Sequence, residues 1–264
     1  MTIPYALAVY GKEEIRAVNE VLSNPLRIAP NIKTREFEVA IAKIFSKENG
    51  LMVNSGSSAN LLVFELLDLP KGSEVITPVL TFATTVAPIL QTGLVPVFAD
   101  VKADTYLINE DEIEKFITEK TKALMIPSLI GNIPNLPRLR EIADKYKLYL
   151  IEDSCDTLGA SFDGEPTGYY SDISTTSFYA SHIITAAGGG GMVCVNRPEW
   201  YKRGLMLRGW GRSSTLFAES EDLDKRFSVE IDSCPYDGKF IFGEVGYNLQ
   251  AIELQAAFGL EQLK

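Results

Sequence analysis

The sequence is poor in cysteine, histidine and long apolar runs, and each shortage argues against a class of protein. Cys155, Cys194 and Cys234 are odd in number and far apart, which favours neither a disulfide framework nor a four-cysteine metal site. No apolar run approaches the roughly 20 residues of a membrane-spanning helix, and the first residues lack the basic-then-apolar order of a signal peptide. We therefore expect a cytoplasmic protein with no metal site and no membrane partner.

Positive charge is scarce as well. The chain has 25 Lys and Arg against 35 Asp and Glu, which gives a formal net charge of −10. Such an acidic chain argues against binding of nucleic acid through its phosphates, and an anionic substrate would need a locally positive pocket. With 264 residues, 46% of them apolar, the chain can bury a large core in one sizeable α/β domain or two small ones.

Short apolar runs alternate with segments of helical periodicity along most of the chain. Thr34 is predicted as the N-cap of an early helix that ends at Phe45. The remaining segments alternate as crossover units of a largely parallel sheet. The predicted strands are GLMVN, EVITP, VPVFAD, ALMIP and LYLIED, and the helices between them are SGSSANLLVFELL, FATTVAPIL, DEIEKFI and LPRLREIADKY.

Chemically useful side chains follow several of these strands, where ligands bind in open α/β sheets. The turn at 55–58 could hold a phosphate at a helix N-terminus or could be a plain N-cap. Phe82 could stack on a planar ring or belong to the core. Asp153 and Asp156 follow LYLIED, and such a carboxylate can pair with a protonated pyridine nitrogen. Taken singly, each of these two acids could be a cap or a surface acid.

The only histidine of the chain, His182, lies in the segment SFYASHIITAAGGGGMV, just before four consecutive glycines. The glycines lack the spacing and the lysine of a phosphate-binding loop, so we interpret them as a close-packed turn. His182 could transfer protons near neutral pH or could be a structural residue. Its position alone does not decide between these roles.

Five motifs in order resemble the DegT/DnrJ/EryC1/StrS family of sugar aminotransferases and dehydratases: SGSSAN, TPVLTF, IEDSCDTLGA, SFYASH and GYNLQAIELQAAFGLEQL. That family uses pyridoxal or pyridoxamine phosphate on the fold-type I aminotransferase scaffold. The resemblance runs from about Tyr10 to the last residue. It implies an α/β fold with three layers, α/β/α, around a mostly parallel sheet. Residues 1–264 would form the cofactor-binding large domain, with the chain stopping before a small C-terminal domain.

The resemblance assigns roles to the residues that follow the strands. Ser57, Ser58 and Ser177 would bind the cofactor phosphate, and Gly56 would belong to the same cofactor-binding turn. Phe82 would stack on the pyridine ring.

Three further residues complete the implied site. Asp153 would pair with the pyridine nitrogen of the cofactor, and Asp156 would lie near its ring hydroxyl and the substrate. Asn248 would reach the phosphate of the neighbouring subunit's cofactor, which implies a homodimer with shared active sites.

His182 occupies the position at which the family's aminotransferases carry a lysine that binds the cofactor covalently. Imidazole cannot form that bond, so the resemblance implies noncovalent pyridoxamine or pyridoxal 5'-phosphate. The exchange is similar to that in 3-dehydratases of nucleotide-linked 4-keto-6-deoxyhexoses, which supply deoxysugars for surface polysaccharides such as lipopolysaccharide. There a histidine base removes a proton from the cofactor's methylene group and the C3 hydroxyl leaves. The implied catalytic residues are His182, Asp156 and Tyr179.

Two departures limit the resemblance. Asp156 and Tyr179 are similar to those of iron-sulfur-dependent 3-dehydratases, but the segment after LRGWGR lacks the cysteine cluster of that group. We therefore expect no iron-sulfur centre and expect glutamate as the amino donor. Gly188 stands where the family usually has glutamate. A nucleotide-sugar 4-aminotransferase and a non-catalytic homologue with a binding or regulatory role remain alternatives.

Overall fold

The structure is a computed structural model that describes residues 3–4, 6–216 and 223–264. Its centre is a seven-stranded sheet in the order β1-β9-β8-β5-β4-β2-β3, accompanied by the two-stranded pairs β6-β7 and β10-β11. The strands of the described residues are β1 (Asn49–Val53), β2 (Glu74–Pro78), β3 (Val95–Ala99), β4 (Thr121–Pro127), β5 (Tyr149–Asp153), β6 (Ser161–Phe162), β7 (Glu165–Pro166), β8 (Ile173–Ser177), β9 (Gly191–Val195), β10 (Val229–Ile231) and β11 (Cys234–Tyr236).

Helices cover both faces of the sheet. Those of the described residues are α1 (Lys12–Leu22), α2 (Ile32–Ile44), α3 (Gly56–Leu67), α4 (Ala83–Gln91), α5 (Glu110–Ile113), α6 (Leu136–Tyr146), α7 (Pro198–Arg208), α8 (Leu223–Arg226) and α9 (Glu253–Gln262). None of them is both long enough and apolar enough to cross a membrane.

Alternation along the strands sends side chains to two separate cores. In β1, Leu51 and Val53 pack with α3 and α7, whereas Met52 packs on the opposite face with α2 and α9. In β5, Ile151 joins the first core and Leu150 joins a cluster under α6. The fold therefore has the three-layer α/β/α architecture that the sequence predicts.

Strand direction brings the candidate residues to one edge of the sheet. Strands β2, β3, β4, β5 and β8 pair in parallel, and β9 runs antiparallel to both β8 and β1. Strand β1 therefore runs in the same direction as the parallel strands, and its carboxyl end lies at the same edge. Because parallel strands end together, this edge is where an α/β sheet binds ligands.

The five predicted strands are confirmed. The predicted helices agree closely with the observed ones except at the start of α2 and at the end of α5. Thr34 is not the N-cap of α2, because Asn31 accepts the Ile32 N–H at 2.9 Å one turn earlier. The helix predicted from DEIEKFI ends at Ile113 and continues only as a short 3₁₀ turn. Strands β8 and β9 are additional to the predicted strands, and part of the polar excursion at 213–225 lies outside the described residues.

The buried carboxylate of Glu253 connects the start of α9 to the start of α2. It lies at the start of α9, is 2% exposed, and accepts the backbone N–H groups of Asn31, Lys33 and Thr34 at 2.7, 2.6 and 3.1 Å. The Thr34 hydroxyl donates to the same side chain at 2.8 Å. These donors are the free amides at the N-terminus of α2, which have no partner within their own helix. Glu253 thus caps a helix more than two hundred residues away in the sequence.

We expect Glu253→Gln to lower the free energy of unfolding by about 1–3 kcal/mol. The amide replaces one accepting oxygen by a donor that faces other donors, and it removes the charge that the helix N-terminus favours. Chemical denaturation followed by circular dichroism measures the change. Glu36→Gln, which alters an exposed partner of Lys33, is the control and should stay within about 0.5 kcal/mol of wild type. Equal losses in the two variants would contradict the capping role.

Candidate active site

Asp153 is the most constrained acid at the carboxyl edge of the sheet. It ends β5, is 5% exposed, and its Oδ2 accepts hydrogen bonds from Asn60 Nδ2 and Thr85 Oγ1, both at 2.9 Å. Its Oδ1 accepts the Cys155 N–H at 3.2 Å. Three donors hold one buried carboxylate, so its orientation is fixed and one accepting site of Oδ1 remains for a ligand.

The turn before α3 packs directly against the end of β8. A Cβ atom added to Gly56 would lie 2.6 Å from Ser177 Cβ and 3.0 Å from Cys155 Sγ, so only glycine fits there. The Ser57 hydroxyl is exposed and donates to Thr84 Oγ1 at 2.9 Å. The structure therefore brings Gly56, Ser57 and Ser177 together around the N-terminus of a twelve-residue helix.

Ser58 lies in the same turn but its hydroxyl is already engaged. It donates to Asn54 Oδ1 at 2.6 Å, and its N–H donates to the N-cap residue Ser55 at 3.1 Å. Ser55 is thus the N-cap of α3, as the capping interpretation of this turn predicts. Free backbone amides and the exposed Ser57 hydroxyl lie next to it.

Phe82 directly precedes α4 and is 71% exposed, which excludes the core interpretation of this residue. Two positions earlier in the same turn is Leu80, also exposed. Thr85 lies in the helix that Phe82 precedes, and its hydroxyl donates to Asp153. One hydrogen bond therefore joins the segment that carries the exposed ring to the buried carboxylate.

His182 lies beside Asp156 and Tyr179. Its Nε2 is 3.9 Å from Asp156 Oδ1, and its ring meets that of Tyr179 edge to face with centroids 5.9 Å apart. Asp156 Oδ2 accepts the N–H of Ile130, whose φ of 57° places it in the left-handed region. The Nδ1 atom of His182 is buried and has no hydrogen-bond partner among the described residues. The three residues predicted as catalytic therefore form one group.

The glycine run differs in part from the predicted close-packed turn. Gly191 is tightly packed, since an added Cβ would lie 2.3 Å from Ser55 O. Gly188 is exposed, and an added Cβ would have no atom within 4 Å, but its φ of +92° favours glycine. Conformation and not crowding therefore explains glycine at position 188, where a glutamate side chain would force backbone strain.

Asn248 is exposed. It pairs with Gly209 in an isolated antiparallel bridge, and the next residue, Leu249, accepts the Asn54 N–H at 2.9 Å. Its side chain makes no hydrogen bond with the described residues of its own chain. The single chain leaves this side chain on the surface.

Residues 9–264 match the DegT/DnrJ/EryC1/StrS aminotransferase family. The chain belongs to this family. It is 41% identical over 249 residues to dTDP-4-dehydro-2,6-dideoxy-D-glucose 3-dehydratase from Saccharopolyspora spinosa, covering 90% of this chain and 54% of the relative. It is 43% identical over 239 residues to the lipopolysaccharide biosynthesis protein RfbH of Salmonella typhimurium, covering 86% and 54%.

Solved structures of the DegT/DnrJ/EryC1/StrS family share the fold. Escherichia coli GDP-4-keto-6-deoxy-D-mannose-3-dehydratase with bound hydrated PLP superposes with a TM-score of 0.87 at 30% sequence identity, over 100% of this chain and 68% of that one. The predicted fold class is confirmed. The chain spans about half the length of the curated relatives named above.

The sequence analysis did not predict the buried hydrogen-bond network that holds Asp153. Asn60 is 1% exposed, donates to Asp153 and to Thr84 O, and accepts the Thr175 hydroxyl at 2.7 Å. Thr85 is also buried, and its Oγ1 is shared with Thr81 at 3.0 Å. The signal in the sequence is weak, because a polar residue in the second turn of a helix is equally typical of a solvent-facing position.

Burial also determines the state of the neighbouring thiol. Cys155 lies between Asp153 and the turn at Gly56, and burial together with the Asp153 charge raises the pKa of its thiol well above the usual value. Cys155 is therefore a neutral packing group at neutral pH. In the described residues, no group of three His, Cys, Asp or Glu side chains is placed to hold a metal ion.

We expect Asn60→Ala to lower the free energy of unfolding by about 1–3 kcal/mol, because it removes one of the three donors to the buried Asp153 and the nearer acceptor of the Thr175 hydroxyl. Thermal and urea unfolding of the protein without added ligand measure the loss. Asn132→Ala removes an exposed amide that donates to Thr105 O, and it should change stability by less than about 0.5 kcal/mol. A neutral Asn60→Ala would mean that Asp153 is held without it.

Proposed function

We propose that this chain is the cofactor-binding domain of a pyridoxamine or pyridoxal phosphate-dependent 3-dehydratase acting on a nucleotide-linked 4-keto-6-deoxyhexose. The observation that carries the proposal is the group formed by His182, Asp156 and Tyr179 at the edge where Asp153 ends β5. No lysine occurs between Lys147 and Lys202, so this stretch offers no amine for covalent attachment of a cofactor. The relatives named as 3-dehydratases support the same reaction class.

The residues present fit a noncovalent cofactor of this kind. Asp153 offers a buried, oriented carboxylate for a protonated pyridine nitrogen, and Phe82 offers an exposed ring. The N-terminus of α3, with Ser57 and the adjoining Ser177, offers amides and hydroxyls for a phosphate. A solved family member contains hydrated PLP. When bound, pyridoxamine phosphate supplies an amine that condenses with the sugar ketone and a ring that accepts electrons.

His182 would act as the base of the reaction. Its Nδ1 is buried, so Nε2 is the ring nitrogen that can exchange a proton, and it faces the Asp156 carboxylate. The Asp156 carboxylate, 3.9 Å from Nε2, would pair with the imidazolium that forms after the transfer. Tyr179, 58% exposed, packs against the imidazole edge and limits its rotation. Asp156 is itself fixed by the Ile130 N–H.

The proposal includes a homodimer and glutamate as the amino donor, with no iron-sulfur centre. Asn248 has no side-chain partner among the described residues of its own chain, which suits a group that serves the site of a second copy. Only three dispersed cysteines are present in the whole sequence, and Cys194 is fully buried in β9. The proposed cellular location is the cytoplasm, where nucleotide sugars are made.

We expect His182→Asn to abolish loss of the C3 hydroxyl, because an amide cannot accept a proton at neutral pH. The measurement is mass spectrometry of a panel of nucleotide-linked 4-keto-6-deoxy sugars incubated with glutamate and no reductase. His182→Lys restores an amine, so we expect the resting absorbance to move toward that of a covalently held cofactor and borohydride to fix the cofactor to the protein.

Ser181→Ala is the matched control, because its side chain is exposed and adjacent in sequence. Full dehydratase activity of His182→Lys without any covalent attachment would overturn the role of His182. Covalent attachment of the cofactor to the wild-type chain would favour the aminotransferase alternative. Absence of any cofactor binding would favour the non-catalytic one.

We expect Asp153→Asn to lower turnover by orders of magnitude while the fold survives, because the amide cannot keep a pyridine nitrogen protonated. The same sugar assay and circular dichroism provide the two measurements. Asp144→Asn, which changes an exposed acid paired with Arg140, is the control. Turnover near wild type in Asp153→Asn would remove Asp153 from the proposed site.

A further inference from the structure

The loop of residues 178–190 carries both His182 and the glycine run. It connects β8 to β9, which are antiparallel neighbours in the sheet. The Phe178 carbonyl, at the start of the loop, accepts the Ala186 N–H at 3.0 Å. This hydrogen bond closes off residues 179–184 as a smaller loop within the larger one. We call residues 179–184 the outer loop, and it contains His182.

A second contact closes the outer loop at the same point. The Thr185 hydroxyl donates to the Phe178 carbonyl at 3.1 Å and accepts the Gly188 N–H at 3.0 Å. The Thr185 N–H donates to Gln262 Oε1 at 3.4 Å, and the residue is only 3% exposed. A hydroxyl can donate and accept at once, which no apolar side chain of its size can do. We call the Thr185 hydroxyl, the Phe178 carbonyl and the Gly188 N–H the Thr185 clasp.

The residues at the base of the outer loop are anchored in the core. Phe178 is fully buried, and its ring centroid lies 4.8 Å from that of Phe37 on α2. Ala186 is also fully buried and belongs to the same apolar cluster, which α2 and α9 share with the sheet. The Thr185 clasp is therefore fixed relative to the sheet.

The outer loop itself has little packing of its own. Tyr179 and Ile183 are 58% and 61% exposed. The His182 N–H donates to Tyr179 O at 3.0 Å, which shapes a turn within the loop but does not attach it to the sheet. The place of the imidazole beside Asp156 therefore depends on how the two ends of the outer loop are held.

The glycine run gives the chain the shape that the clasp requires. Ala187, Gly188 and Gly190 have φ values of 54°, 92° and 120°, all in the left-handed region. Glycine adopts such angles at little cost. The reversal brings the Gly188 N–H back to the hydroxyl three residues earlier, as in other turns that a threonine side chain closes.

We propose that Thr185 is a positioning residue for His182: its hydroxyl clasps the base of the outer loop and so holds the imidazole beside Asp156. The importance of that position for catalysis rests on the proposed function, in which His182 is the base. Displacement of a catalytic group by about 1 Å can lower a rate about 100-fold. Both hydrogen bonds of the Thr185 hydroxyl are used within the loop, so it acts through His182 and not on the substrate.

The first test is nuclear magnetic resonance of the full chain without cofactor. The chain has one histidine, so its imidazole signals need no assignment by mutation. Thr185→Val keeps the shape of the side chain but removes both hydrogen bonds. We expect it to weaken the nuclear Overhauser effect between the Tyr179 and His182 rings and to speed amide exchange at Gly188 about tenfold or more. Thr185→Ser retains the hydroxyl and should restore both signals.

Thr92→Val is the matched control, because it removes a similar hydroxyl bond, to Pro88 O at 2.8 Å, at the end of α4. It should leave the His182 signals unchanged. The wild-type chain provides a measurement that does not depend on the folding of any variant. Gly188 and Ala187 are both exposed, but the Ala187 N–H has no partner among the described residues. The Gly188 amide should therefore exchange about tenfold or more slowly than the Ala187 amide.

The second test is the sugar dehydration assay with added cofactor. We expect Thr185→Val to lower turnover about tenfold or more, Thr185→Ser to stay near wild type, and the cofactor dissociation constant to change less than about threefold in either. Wild-type turnover or unchanged His182 signals in Thr185→Val would overturn the proposal, as would an unprotected Gly188 amide in the wild type. Absence of dehydration by the wild type would instead count against the proposed function, because the resonance measurements need no turnover.

Discussion

The buried carboxylate of Asp153 is the constraint on which the candidate site depends. A carboxylate at the end of a central strand is costly in the protein interior unless donors surround it. The structure provides them from three directions: Asn60 from α3, Thr85 from α4 and the Cys155 N–H from its own turn. The two helices therefore cannot shift independently of β5. The turn at 55–58 and the exposed Phe82, which lie at the starts of these helices, are positioned as a consequence.

A second constraint is close packing between the turn at Gly56 and the end of β8. Gly56 and Gly191 let backbone and side chains approach to distances that no Cβ would permit. This contact places Ser177 next to the N-terminus of α3 and begins the loop that carries His182. His182, the base that we propose, is thus held at the same edge of the sheet as Asp153, although 29 positions separate the two residues in the sequence. Catalytic groups on a shared rigid frame need little reorganisation during a reaction.

Membership of the DegT/DnrJ/EryC1/StrS family and the His182 group support different parts of the functional argument. Family membership establishes the fold. The similar proteins are named both as dehydratases and as aminotransferases. The local geometry supports the dehydratase that we propose. A histidine beside Asp156, in a stretch without lysine, suits noncovalent cofactor and elimination better than transamination.

The sequence by itself determined the alternation of strands and helices, the family resemblance and the candidates Asp153, Asp156 and His182, because apolar periodicity and ordered motifs are local signals. It could not show that Glu253 caps α2 or that Asn60 holds Asp153. Each of these depends on a partner distant in the chain, which only the packed sheet and helices bring within hydrogen-bonding distance.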